Sequence, residues 1–549
     1  MLHYAIASLA ILLFGSGARM RPNRKLPDEE FVWSPPIGFN FATDIVDMWA
    51  SDPSRLALIC VDQAQNEQHY TYSTISKRSS QLAHLLAQQG LKPGDRVLIM
   101  LPRIVEWQVA MTAVLRMGAV PVPCITMLTA KDVAYRIEHC GAVGAIARSV
   151  DTQKFHSPST LICRICVGDP TPNWISSNQA DRLPDSFPSP TTRINDPAIL
   201  YYTSGSTGSP KGVTHSGMAL WAWANSAIHW LGLNERERVW CTADTGWSKA
   251  GTSILFGPWS QGAAVLMYDG PFDPSYRLTL LQKYDITCFC AAATELRQLV
   301  VEDFSNVSLP HLRTTVSAGE SVNPETILKW KELTGCEILD GYGQTETLMT
   351  VTNRTGHPIK PGSMGFPLPG IEVAALTEAG TAETRNAEGE LLIKLPNPQV
   401  MIGYWDDPQR TQMAKQIIGG TSWLKTGDNV SIDDDGYIFY TGRADDIINS
   451  SGYRIGPQEV ENVLTEHNAV MECAVTGVPD EKRGELVKAW VVLNDGYTAS
   501  KELSEELQHH TKEATAPYKY PRKIDFVQTL PKTVTGKIRR NVLRESAKA

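Results

Sequence analysis

Several things are in short supply in this sequence, and each shortage removes a class of function. There is no basic surplus: 51 lysines and arginines stand against 59 aspartates and glutamates, a formal charge of −8. Proteins that hold nucleic acid by neutralising phosphates normally carry excess cations, so no nucleic-acid partner is expected. Cysteine is scarce, with ten in 549 residues, too few for a disulfide scaffold. The one CxxC, Cys163 to Cys166, lacks a second pair at zinc-binding spacing, because a single residue separates Cys288 from Cys290. Reduced, buried thiols are the reading. No apolar run approaches the roughly 20 residues of a membrane-spanning helix, and there are no repeats or low-complexity tracts. What remains is a chain that is 42% hydrophobic and 20% charged, enough for large cores and for about three to four structural units.

The first thirty residues stand apart. An apolar run from Tyr4 to Phe14 is followed by Arg19, Arg21, Arg24 and Lys25, with no acid before Asp28. This pattern suits a mitochondrial presequence; a short anchor or a mis-assigned start are the other readings. Localisation is therefore expected in the mitochondrial matrix, with the cytoplasm as alternative. No stable membrane insertion is expected beyond this segment. Oligomeric state is not written in the pattern.

From about residue 70 the texture is α/β. Tyr70 to Gln89 reads as a surface helix, Val97 to Leu101 as a strand, Glu106 to Met117 as a helix and Val120 to Val122 as a strand. Strand, helix, strand in this order implies a parallel sheet, and the alternation recurs to about residue 350. Between Gly365 and Phe439 short apolar runs sit among Gly, Pro and Asp, which suggests β structure in a small barrel. The last hundred residues carry a helix from Gly456 to Leu464, strands at Ala474 to Val478 and Lys488 to Val492, and a basic tail.

The most informative stretch is Tyr202-Thr-Ser-Gly-Ser-Thr-Gly-Ser-Pro-Lys-Gly212. A strand, Ala198 to Tyr202, runs into a loop of glycines and hydroxyls that ends in a lysine. Glycines let backbone N–H groups approach phosphate oxygens, hydroxyls add donors and Lys211 adds charge. It is not a Walker A loop, since Pro210 precedes Lys211 and Gly212 follows it. It is not a serine-nucleophile elbow either, since Ser204 stands two positions before Ser206 where glycine is required.

Thr203 to Gly212 resembles the phosphate loop of the adenylate-forming superfamily, which includes acyl-CoA synthetases, luciferases and peptide-synthetase adenylation domains. Other motifs follow in that superfamily's order: Ser317-Ala-Gly-Glu320, Asp340-Gly-Tyr-Gly-Gln-Thr-Glu346, Lys425-Thr-Gly-Asp428, Gly442-Arg-Ala-Asp-Asp446 and Pro531-Lys-Thr-Val-Thr-Gly-Lys537. The match covers everything from about Phe39. Phe39-Asn-Phe-Ala-Thr-Asp44, Asp244-Thr-Gly-Trp247, Gly442 to Gly456 and Thr515 to Lys523 resemble medium-chain acyl-CoA synthetases in particular.

That resemblance implies a large N-terminal domain (31–443) of two doubly wound α/β subdomains and a small β-barrel, then a small mobile α+β domain (444–549), after a possible targeting segment (1–30). It implies ATP-dependent ligation of a carboxylic acid to CoA through an acyl adenylate, with Mg²⁺. ATP would be bound by Thr203, Ser204, Gly205, Ser206, Thr207, Gly208, Lys211, Gly319, Glu320, Asp340, Gly341, Tyr342, Gly343, Gln344, Thr345, Asp428, Arg443 and Lys537. Within this set Tyr342 would offer adenine an aromatic face, Thr345 would bond the α-phosphate, and Asp428 would take the ribose hydroxyls. Lys537, Thr345 and Lys211 would be catalytic, and Glu346 would hold the metal. Asp445 would be the hinge about which the small domain turns to present Ser451, Gly452, Tyr453 and Arg454 to CoA, with Arg483 on its phosphates. Trp247, Gly251 and Leu348 would line the acyl pocket, although Trp247 also reads as an ordinary core tryptophan.

The sequence departs from the family pattern at Leu348, where glycine is expected, and at Ala291 to Ala293, where proline is usual; both bear on chain length. Medium-chain fatty acids lead as substrates, with aromatic or short branched acids as alternatives. A carrier-loading adenylation protein is the rival reading, disfavoured because the chain has no carrier-domain serine motif.

Overall fold

The computed structural model describes residues 31–155, 160–203, 210–320, 322–443, 446–450, 453–480, 483–515, 518–532 and 538–547. Its centre is a nine-stranded sheet in the order 366–367, 348–352, 338–344, 314–318, 288–290, 238–241, 264–269, 56–62 and 67–71. The inner six strands run parallel and both edges turn antiparallel. A second sheet of five parallel strands comprises 120–123, 96–100, 144–148, 163–167 and 175–176. These strands read as unbroken apolar runs because helices cover both faces; Val97 to Met100 are fully buried. The helices expected on either side of Arg96–Met100 are Tyr72–Gln88 and Val105–Arg116. The first is capped by Thr71, whose side chain accepts from the Thr74 N–H.

The alternation breaks at the phosphate-loop stretch. Strands Pro197–Thr203 and Lys211–Ser216 form an antiparallel hairpin, extended by Gly403–Tyr404 into a three-stranded sheet. A connection as short as 204–210 can join only antiparallel neighbours, since a parallel crossover needs a dozen residues or more. The β-rich region is a six-stranded antiparallel sheet: 382–383, 373–376, 387–394, 421–432 and 415–418, with 438–443 pairing the second half of 421–432.

Residues from 446 onward form a five-stranded sheet of 453–455, 448–450, 484–493, 470–480 and 523–526. Helices Pro457–Thr465 and Lys501–Ala514 cover one core and Arg540–Ser546 another. Residues 444 and 445, including the expected hinge Asp445, lie outside the described residues. All ten cysteines are unpaired. Among the described residues no helix is long and apolar enough to cross a membrane.

Candidate active site

The site is built at the carboxyl ends of the parallel strands, where open α/β sheets bind ligands. Strand Ile338–Gln344 lies beside Thr314–Ala318, with Ser317 opposite Asp340 and Ala318 opposite Gly341. It then turns through Thr345, Glu346 and Thr347 and returns as Leu348–Thr352. The turn closes with the Thr347 N–H on the Gln344 carbonyl (3.2 Å) and the Gln344 N–H on Thr347 Oγ1 (3.1 Å). Three-residue hairpin loops of this kind place the next residue in the left-handed region. Leu348 has φ +51°, which explains why glycine is expected there. Gly343 has a steric reason of its own, because a Cβ would overlap the Leu348 carbonyl.

Thr345 is fixed from two sides. Its carbonyl accepts from His215 Nε2 (2.7 Å) and its hydroxyl lies 3.2 Å from Ser248 Oγ. His215 is fully buried, and burial pulls its pKa down to about 4. The ring is therefore neutral, and Nε2 bears the donated proton. The Glu346 carboxylate accepts from the Tyr404 hydroxyl (2.9 Å), and the Lys211 ammonium lies 5.5 Å from the centre of the Tyr404 ring. Tyr404 is held opposite Val213 in the three-stranded sheet. Through it, Lys211 and Glu346 are brought to one place from segments 135 positions apart.

The second centre is Asp428, 4% exposed. Its carboxylate accepts from the Tyr342 hydroxyl at 2.6 Å and from the Gln344 amide, and it pairs with Arg443 at 3.4 Å. Arg443 faces Asp428 across the antiparallel strands 421–432 and 438–443. The Tyr342 ring stacks on Tyr440, with centroids 6.4 Å apart. Burial and the Asp428 charge together push the Tyr342 phenol well above its usual range.

Gly319 (φ +98°) and Glu320 follow strand Thr314–Ala318, whose Ser317 lies opposite Asp340. The Asp340 carboxylate accepts from the Gly341 N–H (2.9 Å) and the Val322 N–H (3.4 Å), and burial pushes it up to about 7.

Trp247 is half-buried, and its indole nitrogen has no hydrogen-bond partner among the described residues. Gly251 is buried, and a Cβ there would overlap the Tyr201 hydroxyl, so close packing requires glycine at this position. Leu348 is 4% exposed and belongs to the main core, together with Tyr342 and Trp230.

Thr203 faces Lys211 in the hairpin, whereas Ser204, Gly205, Ser206, Thr207, Gly208, Ser451, Gly452 and Lys537 lie outside the described residues. Arg454 is placed by its backbone alone, in strand Tyr453–Ile455. Tyr453 is exposed and stacks on Tyr518 with centroids 4.2 Å apart, and the Arg483 N–H bonds Asp480 at 2.9 Å.

Sequence reasoning missed His215, Ser248 and Tyr404. A buried strand histidine, a serine after Trp247 and a tyrosine in a turn-rich segment carry no motif. Only their convergence on the 345–346 turn marks them.

Among the described residues no three His, Cys, Asp or Glu side chains gather as a metal cluster. A lone, partly accessible Glu346 that shares Tyr404 with Lys211 nonetheless fits Mg²⁺, which usually takes one or two carboxylates and completes its shell with substrate phosphates and water.

Comparison with known proteins agrees with this geometry. Residues 47–405 match the AMP-binding enzyme family and residues 459–537 match the AMP-binding enzyme C-terminal domain. The chain is 39% identical over 530 residues to acyl-coenzyme A synthetase ACSM3, mitochondrial, of Rattus norvegicus, covering 93% of this chain and 90% of that one. It is also 39% identical over 516 residues to the uncharacterized acyl–CoA ligase YtcI of Bacillus subtilis, covering 93% and 96%. Among solved structures, the anthranilate CoA ligase AuaEII in complex with anthranoyl-AMP superimposes with a TM-score of 0.84 at 29% identity, over 95% of this chain and 99% of that one. The benzoate CoA ligase of Burkholderia xenovorans LB400 gives 0.80 at 31%, over 92% and 100%. With both family models matched in order and relatives aligned over nine-tenths of its length, the chain belongs to the AMP-binding enzyme family, among its medium-chain acyl-CoA synthetases.

Proposed function

We propose that this acid–CoA ligase acts on medium-chain fatty acids and that its site works as follows. A carboxylate oxygen attacks the α-phosphorus of ATP, and pyrophosphate leaves. The CoA thiol then attacks the acyl carbonyl, and AMP leaves. Charge spread over the pentavalent phosphorus calls for donors and cations fixed in advance. In this reading Thr203 to Gly208 and Lys211 hold the phosphates, Thr345 donates to the α-phosphate, and Asp428 and Arg443 take the ribose. Tyr342, Gly319, Glu320 and the 340–344 backbone border the adenine. Mg²⁺ held by Glu346 would neutralise phosphate charge. Lys537 would bridge carboxylate and α-phosphate during the first step, and rotation at Asp445 would bring Ser451 to Arg454 and Arg483 to CoA for the second.

The observation that carries this reading is the pairing of two prepared centres joined through Gln344: a buried carboxylate bonded by Tyr342, Gln344 and Arg443 at Asp428, and a clamped hydroxyl and carboxylate at Thr345 and Glu346. Its test is pyrophosphate release from MgATP over straight-chain acids from C2 to C16 plus benzoate, with and without CoA, and with products identified by mass spectrometry. Acyl-CoA and AMP peaking near C6 to C10 is the expected result. A benzoate optimum would assign an aromatic substrate, and acyl-AMP without thioester would point to a carrier acceptor. The mitochondrial naming of the rat relative supports a mitochondrial location; fractionation of cells of the source organism tests it, since the bacterial relative is equally similar.

A further inference from the structure

Against the hairpin of strands 197–203 and 211–216 lies a helix, Ala130–Cys140, that none of the roles above employs. It is fixed at both ends. Thr129 and Asp132 cap its start reciprocally, and Gly141, in the left-handed region at φ +60°, closes it. Arg96 donates to the Cys140 and Gly141 carbonyls at 2.8 and 2.7 Å. A helix held at both ends is a firm support for whatever its side chains grip.

Tyr135 and His139 stand four residues apart and so share one face of this helix, with their rings stacked at 5.3 Å between centroids. Each reaches one arm of the hairpin. His139 Nδ1 lies 2.8 Å from the Tyr202 hydroxyl on the first strand, and the Tyr135 hydroxyl donates at 2.8 Å to the Pro210 carbonyl, just before the second. The Arg136 guanidinium lies 5.1 Å from the centre of the Tyr202 ring. Pro210 has no N–H, and the strand pairing ends with Thr203 opposite Lys211. The peptide joining Pro210 to Lys211 therefore lies beyond the ladder, and Tyr135 anchors it from outside the hairpin. On the far side of Lys211, the Gly212 carbonyl accepts from the Trp405 N–H at 2.7 Å. Lys211 is thus bracketed by two held carbonyls: the one after it by backbone, the one before it by a side chain.

We propose that Tyr135 is a positioning residue for the phosphate site: by holding the Pro210 carbonyl, its hydroxyl sets the orientation of the 210–211 peptide and hence the direction in which the Lys211 stem leaves the strand. This rests on the ligase reading above, in which Lys211 holds the phosphates of ATP. An ammonium on a flexible stem binds better when its base is fixed in advance, because less freedom is lost on binding. Tyr135 acts on the reaction through Lys211 and not by touching substrate.

The test is Tyr135→Phe, which removes the hydroxyl and keeps the ring on His139. In ATP–pyrophosphate exchange with hexanoate, the KM for ATP should rise roughly 3- to 10-fold, the size of one neutral hydrogen bond. The KM for acid should stay within about twofold and the melting temperature within about 2 °C. Tyr72→Phe removes another hydroxyl that donates to a backbone carbonyl, that of Ala263 at 2.9 Å, and should leave the KM for ATP unchanged. Because Tyr135 acts through Lys211, adding Tyr135→Phe to Lys211→Met should change the Kd for ATP, measured by calorimetric titration, by less than about twofold. Three results would overturn the proposal: an unchanged KM for ATP, equal rises in both KM values together with a lowered melting temperature, or the full factor persisting in the Lys211→Met background. Wild-type protein that activates no acid would instead remove the ligase reading itself.

Discussion

Asp428 and Glu346 are carboxylates linked through Gln344, which bonds the first and opens the turn that carries the second, and the fold treats them oppositely. Asp428 is buried under Tyr342, Gln344 and Arg443, all converging on its two oxygens. Glu346 is partly accessible and, among the described residues, accepts one hydrogen bond, from the Tyr404 hydroxyl. A carboxylate saturated with donors is set in position before any ligand arrives, and removing it strands several polar groups at once. A carboxylate with one donor keeps oxygen lone pairs for an incoming cation. The same side-chain chemistry therefore serves rigidity in one case and exchange in the other, and the difference lies wholly in the neighbours.

Substitution should separate the two sharply. Asp428→Ala should cost about 3 kcal/mol of stability, because it takes the acceptor from the buried Tyr342 hydroxyl and leaves the Gln344 amide only the Thr426 carbonyl, and ATP affinity should fall with it. Urea unfolding and nucleotide titration measure both, and a variant as stable as wild type would contradict the account of Asp428 as a structural hub. Leu348→Gly should cost less than the usual deletion of a buried leucine, about 2–5 kcal/mol. Glycine removes the strain of φ +51°, itself about 1–2 kcal/mol. A cost equal to that of Leu339→Ala, a buried leucine in the same core, would show that Leu348 is unstrained. The same variant should move the optimum in the acid panel to longer chains.

Glu346→Gln should leave the melting temperature nearly unchanged while raising the Mg²⁺ concentration needed for half-maximal pyrophosphate release by about tenfold. An unaltered Mg²⁺ titration would remove Glu346 from the metal site.

The smallest effect concerns Asp340, whose carboxyl is pushed up to about 7 by burial. The folded protein keeps a proton that the unfolded chain releases near pH 4. Stability from this group is therefore full below about pH 4 and is lost as pH rises through 7. Asp340→Asn should raise the melting temperature at pH 8 by about 2 °C relative to its effect at pH 5. Equal shifts at both pH values would show that Asp340 titrates normally.

Much of this was legible in the chain. The parallel strands announced themselves as apolar runs, since both faces are covered, and the strands and helices around Val97 and Glu106 lie within a residue or two of expectation. Thr345 and Glu346 could be singled out because their turn is written in consecutive residues. Asp428 and Arg443 were named one by one, but their pairing depends on the register of two strands. His215, Ser248 and Tyr404 gave no signal, because each touches the site from a segment whose own pattern is that of an ordinary strand or turn. The antiparallel hairpin at 197–216 follows from loop length, a constraint that the alternating pattern around it obscured.

The sequence by itself determined the family, the ATP-dependent chemistry and the identity of the groups that local spacing holds together: the glycine and hydroxyl stretch ending in Lys211, and the turn bearing Thr345 and Glu346. Tertiary structure alone decided how each group is tuned. Burial holds His215 neutral, convergence saturates Asp428, and a capped helix sets Tyr135 against Pro210. Charge state and hydrogen-bond partners depend on what lies within a few ångströms, and in a folded chain most of those neighbours come from far along the sequence.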